Sequence, residues 1–138
     1  MKKLNILFAS HTYIGGTFVV GSHHLAREMS DMGHRVLHLS TSVTPAHLLR
    51  VKQKPILERF KQWRNIRKMK GELLHGVPLS LVPWHIAGPV FQQTGSNWFV
   101  RSIRFPNVNQ ILREHQFSEV DLLLIDQPYF VGIENYLQ

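Results

Sequence analysis

Residues 4–40 read LNILFASHTYIGGTFVVGSHHLAREMSDMGHRVLHLS and contain the pattern from which the fold is inferred. The run opens with the mostly apolar segment 4–9, which is typical of a strand covered on both faces of a parallel sheet. A glycine turn and a stretch with helical spacing follow, and Gly33 stands where a left-handed C-cap residue is expected. The segment 35–39 then alternates as a second strand. Residues 4–40 therefore predict one βαβ unit.

The helix of this unit is predicted to begin after Thr17, whose hydroxyl suits an N-cap. Residues spaced four and three apart are expected to form its inward face: Phe18, Ser22, Leu25, Met29 and Met32. Such a helix packs against a sheet.

The rest of the chain predicts further parallel strands near 77–82 and 120–125 and a loop over 84–97. Helices are indicated from about 55 to 70 and from 107 to 115 by apolar residues on one side. The predicted fold class is therefore α/β, with a Rossmann-like, doubly wound and mostly parallel sheet.

Length and composition limit the classes of protein that fit. The 138 residues are 43% hydrophobic, which predicts one domain over residues 1–138. The chain has no cysteine, so disulfides and thiolate metal sites are excluded and a cytoplasmic location is favoured. No segment approaches the roughly 20 apolar residues of a membrane-spanning helix, so we expect a soluble or peripheral protein.

The glycine turn carries the first functional signal. Gly15 and Gly16, followed by Thr17 at a helix start, would allow a phosphate or a sugar hydroxyl to approach the backbone. The dinucleotide fingerprint fails, because the next glycine is Gly21 and no acid follows the second strand. We therefore expect no nicotinamide or flavin cofactor. The alternative is that the glycines only make a tight turn.

Four segments together carry a family resemblance: Ile6-Leu7-Phe8, Gly15-Gly16, His24-Leu25-Ala26 and Gly33-His34-Arg35-Val36. This pattern resembles the opening of GT-B glycosyltransferases, in particular their family 4-like N-terminal domain. The similarity covers about the first 40 residues, and Asp121 to Pro128 weakly resembles the later strand of that family that ends at the interdomain cleft.

The resemblance implies transfer of a sugar from a nucleotide-sugar donor to a glycan or lipid-linked acceptor, with no other cofactor. The donor is then held mainly by a C-terminal domain whose glutamate pair is not found in these residues. We therefore expect a truncated N-terminal, acceptor-side domain that is inactive alone, from a polysaccharide or glycolipid pathway. A further helix is predicted to begin within 130–137, and a doubly wound sheet normally continues past its fourth strand.

A non-catalytic Rossmann-like binding module is the alternative from another functional class. Coding sequence downstream of Gln138 distinguishes the two, because a second Rossmann-like domain with the glutamate pair supports the enzyme. A stop codon there supports the binding module.

Two residues are candidates for the base of an inverting transfer. Asp126 follows the strand near 120–125, and His11 follows the first strand, so both are expected at the edge where parallel strands end. Asp126 is equally suited to a turn before Pro128, and His11 to a loop histidine bonded to backbone. A retaining transfer needs no such base, so the stereochemistry stays open.

The nine histidines do not predict a metal site. His23 and His24 point about 100° apart on a helix and cannot chelate one ion together. We expect His34 and His38 to be ordinary polar residues beside or within a strand.

The net charge of +7 is concentrated in one segment, because residues 50–70 carry nine basic residues and one acid. A basic face beside aromatic residues predicts an interfacial helix on anionic lipid. The residues assigned to that membrane contact are Arg59, Lys61, Trp63, Arg64, Arg67 and Lys68. The alternative is that the apolar stripe packs on the sheet and the basic face is solvated. Nucleic acid is not expected as a partner, because no recognised binding motif is present.

If this segment contacts lipid, the chain should sediment with anionic vesicles and be released by salt, which screens exposed charges. Changing Arg64, Arg67 and Lys68 to Glu should abolish sedimentation and preserve folding. Trp63→Ala should lower lipid affinity if the ring inserts, whereas loss of a core ring would destabilise the fold by about 3–5 kcal/mol. Equal sedimentation with neutral and anionic vesicles, or none with either, counts against the lipid contact.

Overall fold

The computed structural model describes residues 2–15, 20–63, 66–105, 108–117 and 119–137. Within these ranges the strands are β1 (Asn5–Ala9), β2 (Arg35–Leu39), β3 (Arg67–Lys68), β4 (Leu73–Gly76), β5 (Leu79–Ser80), β6 (Ile103–Phe105) and β7 (Leu122–Ile125). The α-helices are α1 (Gly21–Asp31), α2 (Lys54–Trp63), α3 (Trp84–Thr94), α4 (Trp98–Arg101) and α5 (Val108–Glu114). Short 3₁₀ helices lie at Pro45–Arg50, Pro128–Phe130 and Ile133–Tyr136.

The main sheet has five strands in the order β3-β4-β2-β1-β7, and all except β3 are parallel. β1 pairs on both sides, so that Ala9 lies opposite Leu39 of β2 and opposite Ile125 of β7. β5 and β6 form a separate antiparallel pair. The α/β class and the mostly parallel sheet are confirmed, and the arrangement is consistent with a Rossmann-like fold.

Helices cover both faces of the sheet, because its strands are apolar on both sides. One face packs Ile6 and Phe8 of β1 against Ala26 of α1. On the other face Leu7 and Ala9 pack in a larger cluster that includes residues of α3, α4 and α5. β1 is thereby buried in the centre of the molecule.

The order of the parallel strands reverses direction at β1. The chain passes from β1 to β2 and β4 on one side and later returns to place β7 on the other side. Doubly wound sheets form a crevice at such a switch point, outside the carboxyl ends of the two strands. The loops after β1 and β7 therefore meet in the place where this architecture binds ligands.

The two edges of the main sheet differ in chemistry. β3 presents the exposed residues Arg67 and Lys68, whereas β7 consists of four half-buried apolar residues. Basic side chains at an edge discourage pairing with another strand. The sheet therefore has one protected edge and one apolar edge.

The strands predicted near 4–10, 35–40 and 120–125 are confirmed as β1, β2 and β7. The strand predicted at 77–82 is wrong as a member of this sheet, because β4 takes that place. Part of the predicted strand forms β5, which pairs with β6.

The predicted helices need three corrections. The helix predicted over 55–70 ends at Trp63 in α2, and the chain then forms β3, which pairs antiparallel with β4. The loop predicted over 84–97 is mostly α3, although Pro89 lies within the helix. A helix does not continue from Phe130, because Gly132 adopts a left-handed φ of 93° between two 3₁₀ helices. The helix predicted over 107–115 is confirmed as α5.

The predicted inward face of α1 is wrong in part. Met29 packs against the core as predicted, but Leu25 and Met32 are exposed, and the buried residues of the helix are His23, Ala26 and Ser30. The helix begins at Gly21 after an N-cap at Val20, later than the sequence predicts. The proposed cap Thr17 and the contact of Phe18 lie outside the described residues. Gly33 does adopt the predicted left-handed conformation, with φ of 90°.

No helix among the described residues is long and apolar enough to span a lipid bilayer.

Asn97 joins the start of α4 to the segment after β7. Its side-chain oxygen accepts hydrogen bonds from the backbone N–H groups of Phe99 and Val100. Its amide group donates to backbone oxygens of that later segment, including those of Tyr129 and Val131 at 3.0 and 2.8 Å. One buried side chain therefore supplies the helix cap and holds two chain segments together.

Asn97→Ala should lower the free energy of unfolding by about 2–4 kcal/mol, since it removes a cap and leaves buried backbone groups unpaired. Denaturant unfolding followed by circular dichroism measures the change. Asn135→Ala is the matched control, because Asn135 is exposed and its side chain donates to Gly132 O within its own turn. Equal stability of the two variants would contradict a joining role for Asn97.

Candidate functional site

The carboxyl ends of β1 and β7 bring Ser10, His11 and Asp126 together. The Ser10 hydroxyl donates to Asp126 Oδ2 at 2.6 Å, and the His11 backbone N–H donates to Asp126 Oδ1 at 3.0 Å. The His11 ring also faces the carboxylate, with Nδ1 at 3.4 Å from Oδ1. The two candidate catalytic residues are therefore neighbours, and both side chains are accessible, with relative exposures of 43% for His11 and 31% for Asp126.

Strand pairing produces this contact. Ala9 lies opposite Ile125 in the parallel register, so the residues that follow each strand leave the sheet side by side. The Asp126 N–H donates to Ala9 O, and the Ser10 N–H donates to Leu39 O. The Thr41 hydroxyl donates to His11 O from the loop after β2. The site is therefore built on three adjacent strand ends.

A chain of hydroxyl groups runs inward from Asp126. Ser10 Oγ lies 2.9 Å from Thr12 Oγ1, which lies 2.8 Å from His23 Nε2. Burial lowers the pKa of His23, and the charge of Arg27 lowers it further. Because the Ser10 proton is donated to Asp126, Thr12 donates to Ser10 Oγ and a neutral His23 donates its Nε2–H to Thr12 Oγ1. The chain thus connects the carboxylate to the interior of the α1 face.

Three histidines lie together beneath this site. The His38 ring centroid is 5.2 Å from that of His23 and 5.6 Å from that of His75, and the register of β2 and β4 places His38 opposite His75. His75 Nδ1 lies 3.0 Å from Gln62 Oε1 of α2, whereas neither ring nitrogen of His38 has a hydrogen-bond partner in the described part of the chain. His38 is thus not an ordinary surface polar residue.

The histidine cluster is electrically neutral near pH 7. Burial lowers the pKa of both His38 and His75 to about 3, because the interior disfavours the charged ring. The neighbouring histidines act in the same direction. Among the described residues, no group of three or more His, Asp and Glu side chains could hold a metal ion. The absence of a metal remains a prediction.

The glycine turn is described only as far as Gly15. Its φ is 101°, a left-handed conformation that residues with a side chain rarely adopt. Gly16 and Thr17, the other two residues assigned to the predicted phosphate or acceptor contact, lie outside the described residues. This backbone conformation favours glycine at the position of Gly15.

The basic residues do not lie on one helix, which corrects the sequence interpretation. Arg59, Lys61 and Trp63 belong to α2, whereas Arg67 and Lys68 belong to β3. Arg64 lies outside the described residues. Arg59 contacts the protein itself, since its guanidinium carbon is 5.9 Å from the centroid of the Tyr13 ring. Trp63 is half-buried, with its ring centroid 6.2 Å from that of Phe60.

A cavity of about 820 Å³ lies between α5, β7 and the segment that contains Glu134 and Leu137. Neither His11 nor Asp126 lines it. We place the candidate site at the strand ends because the acid–base groups converge there.

Sequence reasoning missed Ser10, Thr12, His23 and His75. Ser10 could have been found, because it follows a buried strand directly and precedes His11. The contact of His38 with His75 depends on the register between β2 and β4, and β4 was not recognised as a strand.

The fold and the strand-end cluster define an α/β protein with a mostly parallel sheet and a polar site at its switch point. Comparisons of the chain with protein-family models, with curated proteins and with solved structures find no match.

His38→Leu should stabilise the protein by about 1–3 kcal/mol at pH 7, because it removes buried polar atoms that have no partner. It should also reduce acid sensitivity. The pKa of His38 is about 3 in the folded state, below its usual value of 6.5, so the folded state binds fewer protons than the unfolded chain between these pH values. The free energy of unfolding is therefore unaffected by protonation of this histidine above pH 6.5. Below pH 6.5 it falls by about 1.4 kcal/mol per pH unit, because the unfolded chain takes up the proton.

Denaturant midpoints measured between pH 7 and pH 5 test this expectation. His24→Gln is the matched control for stability at pH 7, because His24 is an exposed histidine and its replacement should change the midpoint little. Loss of stability in His38→Leu at pH 7, together with an unaltered slope against pH, would show that the ring has a polar partner.

Proposed function

We propose that the chain is the acceptor-side domain of a GT-B glycosyltransferase. It contributes to transfer of a sugar from a nucleotide-sugar donor to a glycan or lipid-linked acceptor. The observation that carries the proposal is the contact of His11 with Asp126 at the carboxyl ends of β1 and β7. An acid–base pair at the switch point of a doubly wound sheet lies where ligands bind in this architecture.

The pair suits removal of a proton from an acceptor hydroxyl. In an inverting transfer that hydroxyl oxygen bonds to the anomeric carbon, the bond from this carbon to the nucleotide phosphate breaks, and a base takes the hydroxyl proton. With the His11 Nδ1–H toward Asp126, the lone pair on Nε2 is left to accept that proton. Asp126 orients the ring and stabilises the imidazolium that forms.

The position of Asp126 is fixed from two sides. Its carboxylate accepts the Ser10 hydroxyl and the His11 N–H, so it cannot rotate without losing both bonds. The hydroxyl chain through Thr12 to His23 extends this support into the core. A carboxylate held in this way keeps the His11 ring oriented, so the base loses little orientational freedom when an acceptor binds.

The donor nucleotide is, in this proposal, held mainly by a second domain, as the resemblance implies. Gly15 follows His11 in the same loop after β1, and its left-handed φ of 101° favours a residue without a side chain there, which suits a close approach of a ligand to the backbone. No cofactor other than the nucleotide-sugar takes part.

A second candidate is a non-catalytic Rossmann-like binding module. The bonds that Asp126 accepts from Ser10 and from the His11 backbone are also those of a residue that closes a loop. The distance of 3.4 Å between the His11 ring and the carboxylate is longer than a strong charge-assisted bond. These two observations favour a structural role for Asp126.

Peripheral attachment to the inner face of an anionic membrane belongs to the same proposal. Lys61, Arg67 and Lys68 are exposed, although they lie on different elements. Exposed cations near an anionic surface each contribute on the order of 1 kcal/mol. Such a surface would bring the domain to lipid-linked acceptors.

The test is sugar transfer by the expressed gene product that carries this chain, measured with labelled nucleotide-sugars and a lipid and glycan extract as acceptor. Asp126→Asn and His11→Gln should each lower kcat by about 10²–10⁴-fold, the contribution of a positioned acid or base. The Asn oxygen can still accept the His11 N–H bond, and its NH₂ group can donate to Ser10 Oγ, so folding should be preserved.

Asp121→Asn is the matched control. Asp121 also accepts a backbone N–H bond from β1, but it lies beside Asn5 at the opposite end of the strands. Its variant should keep the transfer rate of the wild type. Sugar binding without transfer by the wild type would favour the binding module, and wild-type rates in both site variants would exclude the proposed base.

A further inference from the structure

A second pocket, of about 370 Å³, lies beyond the carboxyl end of β2. Its walls come from the loop over 41–44, from the 3₁₀ helix Pro45–Arg50 and from the beginning of α3. Thr41 lines this pocket and donates its hydroxyl to His11 O. The pocket therefore adjoins the strand-end site, but its walls include neither His11 nor Asp126.

One wall of this pocket carries a positive charge, because Arg50 lines it and no acidic side chain is among the residues described at its surface. The imidazoles of His47 and His85 also line the pocket. Burial lowers the pKa of His47, and the charges of Arg59 and Arg50 lower it further, so positive charge from two arginines is felt at this imidazole. An anion is the ligand that this electrostatic environment favours.

The beginning of α3 adds backbone donors. This helix of 11 residues has Pro83 at its N-cap, no side-chain cap bond and no acid in its first turn. The first N–H groups of a helix have no intrahelical acceptor, and the partial positive charge of the helix lies at the same end. Trp84 and His85 at this end both line the pocket.

Ser42 supplies an independent indication of a ligand. Its side chain is fully buried, its hydroxyl has no hydrogen-bond partner among the residues that the structure describes, and the residue lines this same pocket. A buried hydroxyl without a partner is costly and calls for an explanation. A ligand oxygen in the pocket would give this hydroxyl an acceptor. The groups assembled here are thus mainly donors, which match a ligand rich in acceptor oxygens.

An apolar wall lies beside these donors. Trp84 and Phe99 line the pocket with their ring centroids 6.0 Å apart, and Leu49 at the rim is 91% exposed. Aromatic and aliphatic surfaces of this kind bind the organic part of a ligand.

We propose that this pocket binds a phosphate ester, with the phosphate between Arg50, Ser42 and the start of α3. The organic part of the ester lies against Trp84 and Leu49. Assignment of this phosphate to the sugar acceptor rests on the proposed function, whereas phosphate binding itself does not. The same chemistry is offered by a lipid phosphate and by a soluble nucleotide.

Titration of the ¹⁵N-labelled chain with inorganic phosphate, uridine monophosphate and geranyl phosphate at constant ionic strength tests the site by NMR. Saturable shifts are expected at the amides of Ser42, Arg50 and His85, with a Kd on the order of 1 mM or below for at least one ester. Tighter binding of geranyl phosphate identifies a lipid source, and tighter binding of the nucleotide identifies a soluble one. Bound phosphate should also raise the pKa of His47, because a nearby anion favours the charged ring.

Arg50→Gln should weaken binding by about tenfold, the value of one charge-assisted hydrogen bond. Lys52→Gln is the matched control, because Lys52 is exposed two residues away and does not line the pocket, and its effect should stay below about twofold. Ala46→Glu places a negative charge on the exposed rim and should prevent binding without a change in the core.

The proposal is overturned if none of the three phosphates gives saturable shifts at these amides, or if the Arg50 and Lys52 variants bind alike. Phosphate binding without sugar transfer would keep this site and remove the proposed function. Sugar transfer without phosphate binding would keep the proposed function and remove this site.

Discussion

The parallel pairing of β1 on both of its sides is the constraint on which the rest of the structure depends. β1 has β2 as one neighbour and β7 as the other, although β7 lies more than a hundred residues further along the chain. The pairing covers both edges of β1, and helices cover its two faces. It also fixes which loops meet at the carboxyl end of the strand. If β7 shifted its register by two residues, Asp126 would no longer lie beside Ser10, and the strand-end site would be lost.

The interior beside this site is unusually polar for the centre of a sheet. His23, His38 and His75 occupy positions where aliphatic residues are the rule, and burial keeps His38 and His75 neutral at a cost in stability. The strand-end cluster gains a hydroxyl chain that ends on a neutral imidazole. The buried histidines therefore lower the stability of the fold, and they hold polar groups close to a surface cleft.

The sequence correctly predicts the strands that are apolar along most of their length. β1, β2 and β7 are apolar runs, so their periodicity indicates strands, and the positions of His11 and Asp126 at the strand ends follow from them. β4 was missed because Leu73-Leu74-His75-Gly76 ends in a polar residue and a glycine, and only the pairing with β2 makes its burial evident. α3 was missed because Pro89 and Gly88 suggest a loop, yet a side chain at Gly88 would approach the ring of Trp84 to 3.1 Å. Part of the inward face of α1 was wrong because hydrophobicity favours Leu25 over His23, whereas the position of the sheet decides which side is covered.

The unequal edges of the sheet have a consequence for association between copies of the chain. Arg67 and Lys68 on β3 repel the same edge of another molecule, whereas the four apolar residues of β7 carry no such charge. A strand of another copy can therefore add to the described sheet beside β7 more readily than beside β3, as can any further strand of the same protein.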